Sequence, residues 1–335
     1  MSTAAGVRVG ATIPFIAGRQ PQAAERRAAL TAIVDAGLDH VVFGDHVSFQ
    51  GGYGSDGLLQ AAVALGAHPE LGVYIGAFLL PLRHPVLVAR QLADLADLAP
   101  GRLTLAVGVG GEDRDEITAC GIDPSTRGAR TNEYLFVLRR LLTGDPVSFA
   151  GAHVTVDNTV IRPAPSISVP LVVAGRSAAA RARAARLGDG WLGIWLSPAR
   201  YADATAAIAE QAVEAGRDPA GLQHGLNVWC GLAADRDRAK AAVAGAMQNL
   251  YRLPFATFER WSPAGTPDDV AEFLRPYLGA GCTRFNLIAC GDDADTVIGM
   301  AARVRTLLRV IDSPDPVPAA VGSVPHHLPV IRSGT

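Results

Sequence analysis

Segments with strand character alternate with segments of helical character along most of this chain. The strand segments are short and continuously apolar, and each precedes a stretch whose apolar residues recur at helical spacing. Such alternation implies a parallel sheet covered by helices. Eight units in 335 residues fit a closed (β/α)8 TIM barrel, and an open doubly wound sheet is the alternative that this pattern leaves. The predicted strands are 7–15, 41–43, 71–80, 103–109, 171–174, 191–196, 226–232 and 285–290.

The remaining segments divide into helices, insertions and a tail. A hairpin at 147–157 precedes strand five, 252–263 looks irregular, and the glycine-rich segment 51–54 is predicted to be a mobile loop. We predict one barrel domain over 1–311 and an extended, proline-rich tail over 312–335. The predicted helices are 23–36, 56–66, 85–99, 127–142, 178–187, 198–215, 236–251, 267–278 and 292–310.

The composition of the chain limits the kinds of molecule that we expect it to bind. The net charge is −2, which gives no reason to expect nucleic acid or an anionic membrane surface. No run of about 20 apolar residues is present and no signal peptide is evident, so we expect a cytoplasmic protein. The four cysteines are scattered and the histidines lack metal-ligand spacing, so neither a disulfide framework nor a metal site is predicted.

Asp45 and His46 directly follow the second predicted strand, in the stretch VVFGDH. Taken alone, this pair is better explained as a capped loop. In a barrel, however, catalytic residues lie at the carboxyl ends of the strands. Glu112 follows strand four and Arg176 follows strand five, so these residues should converge with Asp45 and His46 on one mouth.

The stretch AGRSA, residues 174–178, runs from strand five through a glycine turn into a helix. A helix N-terminus with a serine hydroxyl and an arginine suits a phosphate group, although Ser177 as an ordinary N-cap is the slightly favoured interpretation of this turn taken alone. Gly76 and Gly110 mark places where backbone can approach a flat ligand closely. The chain also lacks a Gly-x-Ser-x-Gly motif and a lysine at a strand end. A phosphate-bearing redox cofactor fits these features best.

Several stretches resemble the bacterial luciferase-like monooxygenase family, over about residues 7–310. They are VVFGDH at 41–46, LLPLRHP at 79–85, GRLTL at 101–105 with GVG at 108–110, RGAR at 127–130 and GDGW at 188–191. The chain is most similar to the branch that uses the deazaflavin coenzyme F420. That resemblance implies a (β/α)8 barrel, a homodimer, and a non-proline cis peptide at Gly76-Ala77 that supports the deazaflavin.

The resemblance also implies roles for individual residues. Asp45 would contact the deazaflavin, and His46 would donate or accept the proton beside the hydride site. Glu112 matches an acidic partner of the sugar-phosphate dehydrogenases, displaced by one extra glycine, and Asp115 aligns with an amide that touches the cofactor. The phosphate-binding turn matches Ala174, Gly175, Ser177 and Ala178.

These features predict an F420-dependent oxidoreductase that transfers a hydride between C5 of the deazaflavin and a small organic substrate. The lysines that bind sugar phosphate in the family's dehydrogenases have no counterpart here, and the end of strand six, GIWL at 193–196, is apolar. We therefore expect a hydrophobic substrate. An FMN-dependent monooxygenase of the same fold and a non-catalytic flavin-binding protein remain the alternatives.

Overall fold

Eight parallel strands close into a barrel in the computed structural model, which describes residues 6–16, 21–111 and 113–312. Each strand pairs with its neighbours along the chain, and β8 pairs with both β7 and β1, which closes the sheet. The barrel prediction is confirmed, and the open sheet is ruled out. The strands are β1 Arg8–Thr12, β2 His40–Phe43, β3 Gly72–Leu79, β4 Leu103–Gly108, β5 Leu171–Ala174, β6 Trp191–Ile194, β7 Gly225–Leu232 and β8 Arg284–Gly291.

The helices surround the barrel and bury one face each against it. Eight of the nine predicted helices match to within one residue at each end, and the last differs by two residues at each end. The helix α4 was not predicted. The helices are α1 Ala23–Asp35, α2 Gly57–Ala67, α3 Pro85–Leu98, α4 Arg114–Ala119, α5 Arg127–Leu141, α6 Ala178–Leu187, α7 Pro198–Glu214, α8 Arg236–Tyr251, α9 Pro267–Gly279 and α10 Ala294–Asp312.

The predicted loop at 51–54 is instead part of an antiparallel hairpin. Its strands are His46–Phe49 and Tyr53–Ser55, and we call it the His46 hairpin. Gly51 and Gly52 form its turn with φ of 94° and 103°, a region that glycine reaches at little cost. The glycines that suggested mobility therefore make a tight reversal of the chain.

The insertions follow the predictions more closely. A second hairpin pairs Val147–Ala150 with Thr155–Thr159, at the predicted place. The irregular stretch contains two short 3₁₀ turns, Phe255–Thr257 and Glu259–Trp261. The predicted tail, 312–335, lies beyond the described residues apart from its first position.

The strand interiors are apolar because both faces are covered. Every residue of β2 and of β4 is buried, as expected for strands between a filled barrel interior and an outer layer of helices. The last helix, α10, is tied to the residue that precedes β2: Arg305 and Arg309 both donate hydrogen bonds to the carboxylate of Asp39. Among the described residues, no helix is long and apolar enough to cross a membrane.

Candidate active site

A cavity of about 400 Å³ opens at the carboxyl ends of the barrel strands, and we call it the central cavity. That volume lies within the usual range for ligand pockets, about 300–1,000 Å³. It brings together residues that are far apart in sequence, as the barrel hypothesis requires. The predicted site residues that line it are Asp45, His46, Gly76, Ala77, Gly110, Ala174 and Gly175.

One side of the central cavity is made largely of glycine backbone. A Cβ atom added at Gly44 or Gly111 would meet no other atom within 4 Å, so open space lies beside this backbone. Gly110 has a φ of 70°, a conformation that L side chains rarely adopt. The peptide bond between Gly76 and Ala77 is cis, as the family resemblance implies. Such a surface lets a flat ring lie directly against the main chain, so it fits a flavin or deazaflavin ring.

Two amide side chains, half-buried Asn227 and fully buried Asn286, hold the carbonyl of Gly76. Asn227 Nδ2 donates to Gly76 O at 3.1 Å, and Asn286 Nδ2 donates to Asn227 Oδ1 at 2.9 Å. His40 Nε2 lies 2.7 Å from Asn286 Oδ1. Burial lowers the pKa of His40 to about 4, so its ring is neutral and Nε2–H serves as the donor at the start of this series of hydrogen bonds.

His46 begins the His46 hairpin, and its ring reaches the central cavity with 33% of the side chain exposed. Its Nδ1 atom lies 3.0 Å from Oε2 of Glu116, which is only 2% exposed. Oε1 of the same carboxylate accepts hydrogen bonds from Val47 N at 2.6 Å and Ser48 N at 3.1 Å. One buried carboxylate therefore holds both the imidazole and the backbone that follows it.

Burial opposes the ionisation of Glu116, but its partners outweigh that effect. The hydrogen bond and charge of His46 and the two backbone N–H groups lower the pKa of Glu116 below its usual value. The carboxylate is thus charged at neutral pH.

Sequence reasoning missed Glu116. The acidic residue that it proposed, Glu112, lies outside the described residues. A signal was available, because Asp113 followed three residues later by Glu116 and then Ile117 is a typical start of a helix. Asp113 does cap α4, accepting hydrogen bonds from Asp115 N and Glu116 N.

Asp45 is buried and fully engaged within the protein. Oδ1 accepts hydrogen bonds from Gly57 N at 3.0 Å and Arg83 Nη2 at 2.9 Å, and Oδ2 accepts from Leu79 N at 2.9 Å and Arg83 Nη1 at 2.8 Å. Arg83 also pairs with Asp56 at 3.1 Å. Asp45 therefore joins three segments around the cavity, and its contact with a cofactor stays a prediction.

The turn between β5 and α6 has the layout of an anion site. Gly175 lines the central cavity with a φ of 127°. Ser177 Oγ accepts a hydrogen bond from Ala180 N at 3.1 Å, so Ser177 is the N-cap. Ala178 begins α6, whose first N–H groups have no partner within the helix. Arg176 is exposed, and its guanidinium carbon lies 5.4 Å from the ring centroid of Trp195. By contrast, Asp115 is exposed on the first turn of α4, outside the cavity lining.

Part of the lining of the central cavity is hydrophobic, and we call it the apolar wall. Behind it, Trp195 and Trp229 pack against Tyr251 with ring centroids 5.3 Å and 5.8 Å apart. The apolar wall consists of Phe15, Phe49, Ile194, Leu250, Tyr251 and Ile288.

Comparison with known families agrees with this geometry. The family model described as luciferase-like monooxygenase matches residues 17–265 of the chain. The chain belongs to the luciferase-like monooxygenase family. Within this family, the chain is 31% identical over 282 residues to an F420-dependent glucose-6-phosphate dehydrogenase of Beutenbergia cavernae, which covers 74% of this chain and 82% of that protein.

Two further comparisons show similarity in sequence and in fold. A protein of the same name from Nakamurella multipartita is 28% identical over 299 residues, covering 80% of this chain and 87% of the relative. Among solved structures, an F420-dependent secondary alcohol dehydrogenase in complex with an F420-acetone adduct superposes with a TM-score of 0.79. That match has 20% sequence identity and covers 91% of this chain and 99% of the other, so it establishes similarity of fold.

Proposed function

We propose that this luciferase-like protein is an F420-dependent oxidoreductase that transfers a hydride between C5 of the deazaflavin and an apolar organic substrate. The observation that supports this most is the central cavity, which is lined by glycine backbone, by His46 and by Gly175 in the turn before α6. Relatives that match most of the chain carry the name of F420-dependent dehydrogenases. A deazaflavin bound there would supply the hydride donor or acceptor.

The residues would divide the work as follows. His46 would exchange a proton with the substrate oxygen as the hydride moves, and Glu112 would assist it. The ring would lie on the backbone of Gly76, Ala77 and Gly110. The remaining cofactor contacts that we propose are Asp45 near the ring and Ala174, Gly175, Arg176, Ser177 and Ala178 at the phosphate. Asp115 is left out of this set, because it is exposed outside the cavity lining.

The charges around the central cavity disfavour a sugar phosphate as substrate. Arg26 is the one lysine or arginine among the described residues that line the cavity. The chain's single lysine, Lys240, lies on α8 and pairs with Glu259 at 2.5 Å. Because the apolar wall would face the substrate, we propose an uncharged alcohol or ketone with a hydrophobic substituent.

Titration with F420 and, separately, with FMN tests the cofactor. We expect quenching of F420 fluorescence on binding, followed by turnover with secondary alcohols or ketones and none with glucose 6-phosphate. Preferential FMN binding with oxygen consumption would instead support a monooxygenase. Tight cofactor binding without turnover of any alcohol, ketone or electron acceptor would support a non-catalytic flavin-binding protein.

His46→Ala tests the proton transfer. General acid–base catalysis typically contributes about 10²–10⁴-fold, so we expect a loss of that order in kcat with cofactor affinity nearly unchanged. His153→Ala, in the hairpin before β5, is the matched control and should keep wild-type turnover. A loss below about threefold for His46→Ala would remove His46 from the mechanism.

We also propose a homodimer formed through α2. Leu59 and Val63 lie one turn apart on that helix and are 70% and 61% exposed, and Leu87 at the start of α3 is exposed as well. Neighbouring exposed apolar side chains are typical of protein interfaces. Leu59→Lys combined with Val63→Lys should give a monomer in light scattering, whereas Val213→Lys, at an isolated exposed valine of α7, should not.

A cytoplasmic location is proposed from the cysteines. All four are free thiols and three are buried, which is usual in a reducing compartment. Cell fractionation of the native host tests this.

A further inference from the structure

We propose that Glu116 is a positioning residue that fixes the tautomer of His46, with the proton on Nδ1 and Nε2 left free for the substrate. This inference rests on the proposed function for its catalytic consequence. Its structural part concerns only the imidazole and its buried partner, and can be tested without any cofactor.

The hydrogen-bond partners determine the tautomer. Both oxygens of Glu116 lie close to His46 Nδ1, at 3.0 Å and 3.3 Å. An ionised carboxylate only accepts hydrogen bonds, so Nδ1 must carry the proton. In a neutral imidazole the other nitrogen is then an acceptor. Because Nδ1 faces Glu116 and the ring lines the central cavity, Nε2 is the nitrogen that a bound molecule can reach.

Glu116 has no freedom to turn away from the imidazole. It is buried on α4, and its Oε1 atom is held by Val47 N and Ser48 N. The His46 hairpin is fixed further along, where Gln50 N donates to Asp113 Oδ2 at 2.7 Å and Arg252 Nη2 donates to Gln50 O at 2.5 Å. The imidazole of His46 and the carboxylate of Glu116 are therefore held in one relative orientation.

The tautomer has a consequence for catalysis. A deazaflavin bound in the central cavity would accept the hydride from the carbon of an alcohol substrate, and the hydroxyl proton would pass to an acceptor as the C=O bond forms. His46 can take that proton only if Nε2 is unprotonated at the start. In the reverse direction, the imidazolium returns the same proton to the ketone oxygen.

Glu116→Gln should reverse the tautomer of His46 while keeping a side chain of nearly the same shape at position 116. The amide oxygen has two backbone N–H donors to satisfy, from Val47 and Ser48, and we expect it to turn towards them. The amide NH₂ then faces Nδ1 and donates to it, which moves the imidazole proton to Nε2. In the Ser-His-Asp triad, the comparable Asp-to-Asn change costs about 10⁴-fold in kcat through the wrong tautomer. We expect a loss of about 10²–10⁴-fold in the kcat of alcohol oxidation.

Nitrogen-15 NMR of the histidine side chains in the cofactor-free protein is the decisive experiment. The spectra are recorded about two pH units above the ordinary histidine pKa, and the His46 signals are identified by their loss in His46→Ala. The wild type should show a protonated Nδ1 and an unprotonated Nε2, and Glu116→Gln should show the opposite. Asp113→Asn is the matched control, because it neutralises a carboxylate that holds the same hairpin without touching His46, and it should keep the wild-type tautomer.

Kinetics complete the test. A fall in kcat for Glu116→Gln with unchanged cofactor affinity and unchanged thermal stability supports the positioning role. A wild-type protein with the proton on Nε2, or a variant that keeps the wild-type tautomer, overturns it. So does a loss of activity that is matched by lost stability or lost cofactor binding. If the wild type shows no F420-linked turnover, the proposed function fails, while the NMR spectra still decide the tautomer.

Discussion

Asp45→Asn should unfold this protein more readily, because Asp45 is a buried structural anion. Each of its two oxygens faces two donors: Gly57 N and Arg83 Nη2 on one side, Leu79 N and Arg83 Nη1 on the other. An asparagine NH₂ in either position would meet donors only. It would also leave the guanidinium of Arg83 without its fully buried counter-charge.

The expected size of the effect follows from these contacts. Removing one partner of a buried ion pair typically costs about 3–5 kcal/mol in the free energy of unfolding. Asp56→Asn is the matched control, because Asp56 pairs with the same Arg83 but its side chain is 35% exposed. Asparagine also caps helices well, so α2 should keep its N-cap. Exposed pairs contribute about 0–1 kcal/mol, so this variant should lose no more than that.

Urea denaturation followed by circular dichroism measures both variants, with F420 binding measured separately. We expect the free energy of unfolding to fall at least about 2 kcal/mol further for Asp45→Asn than for Asp56→Asn. If both variants are equally stable and only cofactor affinity falls in Asp45→Asn, the structural explanation is refuted and Asp45 is a cofactor contact alone.

Two other predictions concern acid stability and the phosphate turn. Burial lowers the pKa values of His40 and His224 to about 4. As the pH falls from about 6.5 to 4, these histidines therefore become protonated in the unfolded chain but not in the folded protein. The free energy of unfolding should fall through that range by roughly 3 kcal/mol per histidine. Urea denaturation midpoints that do not change with pH would contradict this. Gly175→Ala places a side chain at a φ of 127°, which costs about 1–3 kcal/mol. The turn should relax away from this φ in the free protein, and restoring its shape on binding should raise the F420 Kd roughly 5- to 100-fold in a fluorescence titration. The control Gly216→Ala, at a φ of 71° after α7, should leave the Kd unchanged.

The barrel could be predicted because each of its strands and helices has a recognisable pattern of apolar residues within a short stretch of sequence. A buried parallel strand needs several consecutive apolar residues, and a helix that covers it needs them at a different spacing, so each unit can be recognised by itself. The position of Asp45 and His46 followed from the barrel, since the carboxyl ends of the strands share one mouth.

The partners of these two residues could not be predicted in this way. Arg83 meets Asp45 across 38 residues of sequence, and Glu116 meets His46 across 70. Such pairs leave no periodic pattern, because they depend on how loops pack after the barrel has closed. The helix that carries Glu116 has only six residues, too short for a clear amphipathic pattern. The prediction of a mobile loop at Gly51 and Gly52 was wrong for a different reason. Glycine is typical both of mobile loops and of tight turns that need a positive φ, and here the two glycines form such a turn.

Arg252 connects the apolar wall with the His46 hairpin. It ends α8 with a φ of 54°, next to Tyr251 in the apolar wall, and its guanidinium holds the carbonyl of Gln50 in the His46 hairpin. Leu250 and Tyr251 contribute two adjacent side chains to the apolar wall from the last turn of α8. Substitutions near the end of α8 could therefore change the substrate range while His46 and Glu116 stay the same. Arg252 would have to be kept, because it holds the His46 hairpin in place.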